Sequence, residues 1–311
     1  MKFILILGLI FILANHPVLT GPEAEQEIYV FNDESNDDYG PGSYSYPLHD
    51  DFAPREGLFD IRKMKIVEAE QDYIFTFSFG RINNPWNKSG GFSHPLIEVY
   101  IDNQEGGISG SFQDSARVDF KKSHPWNHLL KISGEFIRVF QPEDEKKVEK
   151  IEILEDDVLD SPWDVNEYEL KVEDNEIVLR LGKDLLGPIA GSYMYILVGS
   201  FDPLGPGYYR EVTNNRSHWY IYDTELEEKL IEQAPRVMDI ILPENKDQKE
   251  VLSNFNSEQY AVAAPIQVLS YSEKMRQKTP EREEIIRLLV LPLVIIFILI
   301  TGYTFRSDFG R

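Results

Sequence analysis

Short runs of β-branched and aromatic residues, separated by turn-forming residues, constrain the fold of this chain more than any other feature. Residues 73–79 alternate large and smaller side chains, and residues 96–101 form an apolar run that ends in a turn-forming segment at 102–107. The same kind of run recurs at 136–140, 150–154, 168–172, 176–181 and 193–198. Short runs joined by Gly, Pro and Asn turns are typical of antiparallel sheets. The sequence therefore predicts an all-β fold, an antiparallel β-sandwich over residues 21–270, with short helices at 224–233 and 246–255.

The charge balance limits the partners of the chain. Its 311 residues include 53 acidic and 31 basic side chains, for a formal net charge of −22. A surface this acidic repels phosphate backbones, so nucleic acid is excluded as a partner and cations or neutral ligands are favoured. The chain has no cysteine, which excludes disulfides, thiolate metal sites and a cysteine nucleophile.

The N-terminal apolar segment is too short to cross a membrane. Residues 3–13 follow Lys2 and would span roughly 17 Å as a helix, against about 30 Å of hydrocarbon. One positive charge, a short apolar stretch and a polar region that ends at Gly21 resemble a secretory signal. We expect residues 1–20 to be a signal peptide, with an uncleaved anchor as the alternative.

The C-terminal apolar segment is long enough to cross a membrane. Residues 285–305 carry one charge, Arg287, near their start, and 21 residues suffice for a transmembrane helix. We expect a charged linker at 271–284 and a cytoplasmic tail at 306–311; a buried core helix is the alternative. More basic residues precede this helix than follow it, but large domains are translocated largely regardless of charge. The predicted protein is a single-pass protein of the cytoplasmic membrane with an extracytoplasmic ectodomain.

An acidic stretch at 32–38 is a candidate metal site. It contains four acidic residues and two asparagines, and glycines follow at 40 and 42. Carboxylate and amide oxygens are the ligands that calcium prefers, and glycines allow a tight loop. The spacing does not match the helix–loop–helix calcium motif. We predict that Asp33, Asp37 and Asp38 hold a structural calcium ion; a solvated acidic loop is the alternative.

Tryptophans beside polar residues are candidate sugar-binding groups. An aromatic ring stacks on the CH face of a sugar, while amides read its hydroxyls. Trp86 lies between Asn84 and Asn87, and Trp126 and Trp219 have polar or aromatic neighbours. We predict a carbohydrate site with Trp86, Asn84, Asn87, Trp126 and Trp219, and favour the Trp86 loop because glycines at 90 and 91 leave room for a ligand. Packing of these rings in the core is the alternative.

Catalytic motifs are scarce. The sequence has no HExxH pair, no G-x-S-x-G elbow and no phosphate-binding loop. A pair of glycosidase carboxylates has no local spacing that would reveal it, so a hydrolase is kept as a weaker alternative. The main expectation is that the chain is not an enzyme.

Several motifs together resemble a known family. The segments are DDYGPGSYSYP at 37–47, GLFDI at 57–61, NPW at 84–86, VYID at 99–102, GYYREV at 207–212, and VMDIILP at 237–243 with DQ at 247–248. In this combination the chain resembles the C-terminal domain of glucodextranase, a module that belongs with DOMON-like, family-9-type carbohydrate-binding β-sandwiches. The resemblance implies binding of a polysaccharide or cell-surface glycan. In glucodextranase the module accompanies a catalytic domain, whereas this chain has an apolar C-terminal segment instead.

Two functions follow as expectations. The first is a non-catalytic, membrane-anchored, extracytoplasmic module that binds a polysaccharide or surface glycan. The second is a structural or assembly protein that docks a separately encoded glycosidase or transporter and never holds sugar. Exposed aromatic rings beside polar groups favour the first, and an exposed apolar patch without such groups favours the second.

Overall fold

The computed structural model describes residues 26–147, 161–221 and 228–269. The strands in these ranges are β1 (Gln26–Asn32), β2 (Tyr44–Ser45), β3 (Ile61–Glu68), β4 (Asp72–Phe79), β5 (Pro95–Asp102), β6 (Val118–Asp119), β7 (His128–Ile132), β8 (Ile137–Phe140), β9 (Tyr168–Glu173), β10 (Glu176–Gly182), β11 (Tyr193–Ser200), β12 (Val212–Thr213), β13 (Trp219–Ile221), β14 (Val237–Ile241), β15 (Ala261–Val262) and β16 (Ile266–Gln267). The α-helices are α1 (Glu228–Ile231) and α2 (Gln248–Leu252), and five single turns of 3-10 helix accompany them.

The first sheet has five antiparallel strands in the order β1-β3-β4-β10-β9. Strand β4 shows why it forms: every second residue is buried, from Tyr73 to Phe79, while the residues between them are half-exposed. Its neighbours keep the same register, with Phe75 opposite Ile66 on one side and Leu179 on the other. Alternation of this kind places one face of a sheet on the core and the other toward water.

The second sheet is buried on both faces. Its strands run β14-β11-β5-β7-β8, with β16 beside β11, and all of these pairs are antiparallel. Seven of the eight residues of β5 are buried, which matches the nearly continuous apolar run in the sequence. Val99 of β5 lies opposite Ile196 of β11 and Leu130 of β7, so three β-branched or aliphatic side chains meet at its centre.

The main core lies between the two sheets. It joins Ile66, Phe75 and Leu179 of the first sheet to Val99 and Ile196 of the second. This two-sheet arrangement confirms the predicted all-β architecture and is that of a β-sandwich. Two short pairs, β12 with β13 and β15 with β6, are parallel rather than antiparallel.

A second core covers the outer face of the second sheet. Tyr100 and Leu197 contribute to it from the strands, and loop residues such as Phe112 and Trp126 close over them. A buried ion pair lies in this core: Lys131 Nζ is 2.8 Å from Glu98 Oε1. The hydroxyls of Tyr100 and Tyr209 donate to Glu98 Oε2 at 2.7 and 2.8 Å. These contacts satisfy a carboxylate that would otherwise be costly to bury.

The predicted strands agree with the structure more closely than the predicted helices do. Strands at 73–79, 96–101, 136–140, 168–172, 176–181 and 193–198 are confirmed within a residue or two. The second predicted helix shortens to Gln248–Leu252, and only Glu228–Ile231 of the first lies in the described part.

Several predictions concern residues that the structure does not describe. The strand at 150–154, the signal segment 1–20, the linker 271–284, the apolar segment 285–305 and the tail 306–311 lie outside the described residues. Within the described ranges, no helix has the length and apolar character that a bilayer crossing requires.

Candidate functional site

Three aspartates from distant parts of the chain converge beside strand β14. Asp33 and Asp37 lie in the loop that follows β1, and Asp239 lies within β14. One carboxylate oxygen from each residue lies within 4.8 Å of the others. Two oxygens that share a calcium ion at about 2.4 Å are at most about 4.8 Å apart. The spacing therefore fits a single calcium ion, and these residues form what we call the aspartate triad.

Burial makes the triad electrostatically unfavourable without a cation. Burial, together with the negative charge of Asp37, raises the pKa of Asp33 to about 8. Burial and the carboxylates around it raise the pKa of Asp37 to about 6. The pKa of the fully buried Asp239 is also raised, by burial first and then by the other two carboxylates. A bound divalent cation would reverse these effects, since it stabilises the charged forms.

Free lone pairs remain in the triad. Asp33 Oδ2 and Asp37 Oδ1 are buried and have no hydrogen-bond partner in the described part of the chain. Asp239 is held in place by backbone donors: the N–H of Ile61 reaches Oδ2 and its neighbour Ile240 reaches Oδ1, each at 2.8 Å. A carboxylate oxygen has more than one acceptor site, so a cation can still approach Asp239.

Asp38 takes a different role from the one predicted. The hydroxyl of Tyr46 donates to Asp38 Oδ2, and the backbone N–H of Phe59 donates to the same oxygen at 3.2 Å. Its side chain is almost fully buried, and its ligand atoms lie outside the triad. Asp239 replaces Asp38 as the third member, because the Asp38 carboxylate is held by Tyr46 and Phe59 instead.

Sequence reasoning missed Asp239, although a signal was present. It is the one acidic residue in the otherwise apolar run 237–243. A charged side chain inside a buried strand is rare unless it is paired or binds a metal. The signal marks Asp239 as unusual, but only the fold brings it beside the loop after β1.

Trp86 lines a cavity at the surface. It lies in the loop between β4 and β5, and its ring is half-buried against His94, with ring centres 4.7 Å apart. The indole Nε1–H donates to Asp51 Oδ2 at 2.7 Å. The cavity, which we call the Trp86 cleft, has a volume of about 500 Å³. It is lined by Leu48, His49, Asp51, Phe52, Trp86, Arg210, Arg216 and Ser217.

The asparagines beside Trp86 are not equivalent. Asn84 uses its side chain within the loop: Oδ1 accepts from the N–H of Lys88 at 2.8 Å and from the Ser93 hydroxyl at 2.7 Å. Its amide also donates to the Lys88 carbonyl at 2.9 Å, so Asn84 shapes the loop and has little left for a ligand. Asn87 is exposed and has a φ of 52°, in the left-handed region that asparagine tolerates. Neither residue lines the Trp86 cleft.

Trp126 and Trp219 belong to the core. Both side chains are fully buried. Trp126 donates from Nε1 to the Gly110 carbonyl at 2.8 Å, and Trp219 packs on Tyr46 with ring centres 4.6 Å apart. Neither ring offers a face to a sugar, so we correct their assignment from binding residues to core residues. Asn127, the polar neighbour of Trp126 in the sequence, is buried as well, so a polar neighbour does not mark an exposed ring.

Comparison with known protein families agrees with this fold. A family model, described as the C-terminal binding-module, SLH-like, of glucodextranase, matches residues 28–267. The match covers most of the chain, so the chain belongs to this family, and the resemblance seen in the sequence is confirmed. A search of curated proteins found no match to the chain. The matched range includes the aspartate triad and the Trp86 cleft.

Proposed function

We propose that this chain is a non-catalytic, membrane-anchored, extracytoplasmic module that binds a polysaccharide or surface glycan in the Trp86 cleft. The observation that carries the proposal is the cleft itself. A half-buried indole lies beside hydrogen-bonding side chains at His49, Asp51 and Ser217, in a cavity of about 500 Å³. Membership of a family of binding modules supports this role.

The surroundings of Trp86 favour stacking of a sugar ring. The bond from its Nε1 to Asp51 and the edge contact with His94 hold the indole in one orientation. A ring held in this way loses little side-chain freedom when a ligand binds, which favours affinity. Loops on a rigid sandwich are also common positions for binding residues.

Substitution of Trp86 tests this role. We expect Trp86→Ala to weaken glycan binding about ten- to a hundredfold, since stacking on an aromatic ring contributes roughly 1–3 kcal/mol. Isothermal titration of the full-length chain in detergent, against a panel of neutral and acidic oligosaccharides, measures the change. Trp163→Ala is the matched control, because Trp163 is also half-buried but packs on Phe140, away from the cleft.

The outcomes separate the two functions. Loss of affinity in Trp86→Ala but not in Trp163→Ala supports the glycan site. Equal glycan affinity in the wild type, Trp86→Ala and Trp163→Ala contradicts the proposed role of Trp86. A wild-type chain that binds no glycan contradicts the function as a whole, and docking of a separately encoded glycosidase or transporter then becomes the better account.

We further propose that the aspartate triad holds a structural calcium ion. Three carboxylates with oxygens within 4.8 Å, two of them with unpartnered buried oxygens, support the proposal. An ion there would tie the loop after β1 to strand β14 and offset the repulsion between the carboxylates.

Calcium removal and a charge-matched pair of variants test the ion. Calcium at a hundred times its dissociation constant stabilises a protein by about 2.7 kcal/mol, so we expect excess calcium to raise the Tm above that in EDTA by about 5–10 °C. In Asp33→Asn we expect most of this gain to disappear and the Tm in EDTA to rise, because one repelling carboxylate is gone. Glu34→Gln removes an exposed charge from the same loop and should keep the calcium effect. Identical Tm values with and without calcium would contradict the site.

A further inference from the structure

A second cavity adjoins the Trp86 cleft. This adjoining cavity, of about 290 Å³, shares Leu48 and Arg216 with the cleft. Its lining also includes Tyr39, Ser45, Tyr46, Arg55 and Tyr220. A chain of linked sugars, rather than a single ring, suits such a pair of adjoining cavities. We call the two cavities together the arginine groove, because Arg55, Arg210 and Arg216 line it.

Two of these arginines have no carboxylate partner among the described residues. Arg55 donates from Nε to the Pro47 carbonyl at 3.0 Å and from a terminal nitrogen to the Leu48 carbonyl at 2.5 Å. Carbonyl contacts orient a guanidinium but do not neutralise it. The guanidinium of Arg216 lies over the ring of Tyr220, 5.4 Å from its centre, and the residue is exposed.

The third arginine is only partly neutralised. Arg210 approaches Asp202 with 3.6 Å between Nη2 and Oδ2, and its guanidinium lies 5.3 Å from the centre of the Phe52 ring. Its Nε is buried and has no hydrogen-bond partner in the described ranges. A buried donor without a partner is costly, so the protein itself leaves this guanidinium incompletely satisfied.

The local charge of the groove opposes that of the whole chain. Three arginines face one carboxylate in the lining, Asp51, whose Oδ2 already accepts from Trp86. The whole chain carries a net charge of −22. At physiological salt, charges more than about 8 Å away are largely screened. Within that distance an anionic group in the groove meets three arginines against two carboxylates, Asp51 in the lining and Asp202 beside Arg210.

The planar guanidinium selects the kind of anion. Its N–H groups form a fork that matches the two oxygens of a carboxylate or sulfate. Trp86 and Tyr220 provide aromatic rings along the same groove, and an aromatic ring favours the CH face of a sugar. The combination is suited to a sugar chain that carries acidic substituents.

We propose that the arginine groove binds an acidic glycan, with a sugar carboxylate or sulfate placed against Arg216 and Arg210. The proposal rests on the proposed function and narrows it to one class of glycan. It differs from the expectation, drawn from net charge alone, that neutral ligands and cations are the favoured partners.

Oligosaccharides of equal length test the proposal. Isothermal titration of the full-length chain in detergent, at fixed calcium, would use tetragalacturonate, a sulfated tetrasaccharide and neutral maltotetraose. We expect at least one of the two acidic oligosaccharides to bind at least tenfold more tightly than maltotetraose. Tighter binding of tetragalacturonate identifies a carboxylate as the preferred group, and tighter binding of the sulfated tetrasaccharide identifies a sulfate. The affinity for the preferred oligosaccharide should fall as sodium chloride is raised.

Arg216→Gln provides the residue-level test, because the side chain is exposed and its loss should leave the fold intact. We expect about tenfold weaker binding of the acidic oligosaccharide, and only partial recovery in Arg216→Lys, which restores the charge without the fork. Lys171→Gln is the control: it removes an exposed charge from β9, away from the groove. Its affinity should equal that of the wild type.

The failures are distinguishable. Equal or tighter binding of maltotetraose, or an unchanged affinity in Arg216→Gln, overturns the acidic-glycan proposal and leaves glycan binding in place. No binding of any of the three oligosaccharides overturns the acidic-glycan proposal and contradicts the proposed function with it.

Discussion

At the scale of single residues, His94 packs against residues that line the Trp86 cleft. It is fully buried at the end of the Trp86 loop, directly before strand β5. Its Nε2–H donates to the Asp51 carbonyl at 2.8 Å, and its ring stacks on Phe52 with centres 4.3 Å apart. Because Asp51 also accepts from Trp86, His94 stabilises the residue that orients the indole.

Burial keeps His94 neutral and makes stability depend on pH. Burial lowers the pKa of His94 to about 4, against a smaller opposing effect of Asp51 and with Arg210 and Arg81 lowering it further. In the unfolded chain the imidazole titrates near its ordinary value of about 6.5. The unfolded state therefore binds a proton first as pH falls, so the contribution of His94 is complete above about pH 6.5. It is lost progressively toward pH 4.

We expect His94→Gln to remove this pH dependence. Glutamine can still donate to Asp51 but does not titrate. The free energy of unfolding of the variant should therefore decrease by up to about 3 kcal/mol less than that of the wild type as the pH falls. Urea unfolding between pH 7 and 4 measures the difference. His49→Gln, which removes an imidazole whose side chain is 69% exposed, is the control and should follow the wild type. If the free energy of unfolding falls equally with pH in the wild type and in His94→Gln, His94 does not contribute to the pH dependence of stability.

At the scale of elements, the loop after β1 is attached to β14 by several contacts. The N–H of Gly40 donates to the Met238 carbonyl at 2.8 Å. The side-chain amide of Gln248, in helix α2, donates to the Asp37 carbonyl at 2.5 Å. These bonds bring Asp33 and Asp37 to Asp239, so the geometry of the triad depends on this attachment.

Gly40 is the position where this loop is least tolerant of change. Its φ is 58°, and an added Cβ would lie 2.5 Å from the ring of Tyr44. We expect Gly40→Ala to lower the free energy of unfolding by about 2–4 kcal/mol, through backbone strain and the clash. It should also weaken calcium binding.

The matched control for Gly40 is Gly191→Ala. Gly191 also has a positive φ, 78°, but an added Cβ would meet nothing within 4 Å. Gly191→Ala should therefore lower the free energy of unfolding by the backbone strain alone, about 1 kcal/mol. Denaturant unfolding measures this change. A similar loss in both variants would mean that the contact with Tyr44 is unimportant.

At the scale of the whole molecule, two regions of opposite charge lie side by side. The cavity that contains Asp33 and Asp37, about 460 Å³, shares Tyr39 with the arginine groove. Its lining holds Asp33, Glu34, Asp37, Glu244 and Asp247 against two lysines. The proposed calcium site and the proposed glycan site are thus neighbours, and a calcium ion that orders the loop after β1 would also support one wall of the groove.

The proposed topology places both sites outside the cytoplasmic membrane. We expect protease added to intact spheroplasts to digest residues 21–284, because the apolar segment at 285–305 is long enough to anchor the chain and the segment at 3–13 is not. Immunoblotting with an antibody to the β-sandwich measures the digestion, and a cytoplasmic protein that stays intact is the control. Full protection of the β-sandwich would contradict this orientation.

Local patterns predicted several strands. Strands β4 and β10 are recognisable by the alternation of their side chains, and strand β11 by its continuous apolar run. Both patterns are properties of short segments. Strands β3, β7 and β14 were not predicted. In β3 the charged residues Arg62 and Lys63 obscure the pattern, and in β7 Lys131 is buried only because Glu98 of β5 pairs with it.

The sequence by itself determined the family, the all-β architecture and two of the three triad residues. It also singled out the Trp86 loop, whose turn formers and tryptophan are adjacent in the chain. Only the tertiary structure decided that Trp126 and Trp219 are core residues, that Asp38 faces Tyr46, and that Asp239 joins Asp33 and Asp37. It also brought Arg55 to the same groove as Arg210 and Arg216. The reason is physical: burial and charge clustering depend on how the two sheets pack and where their loops meet, and residues far apart in the chain establish those contacts.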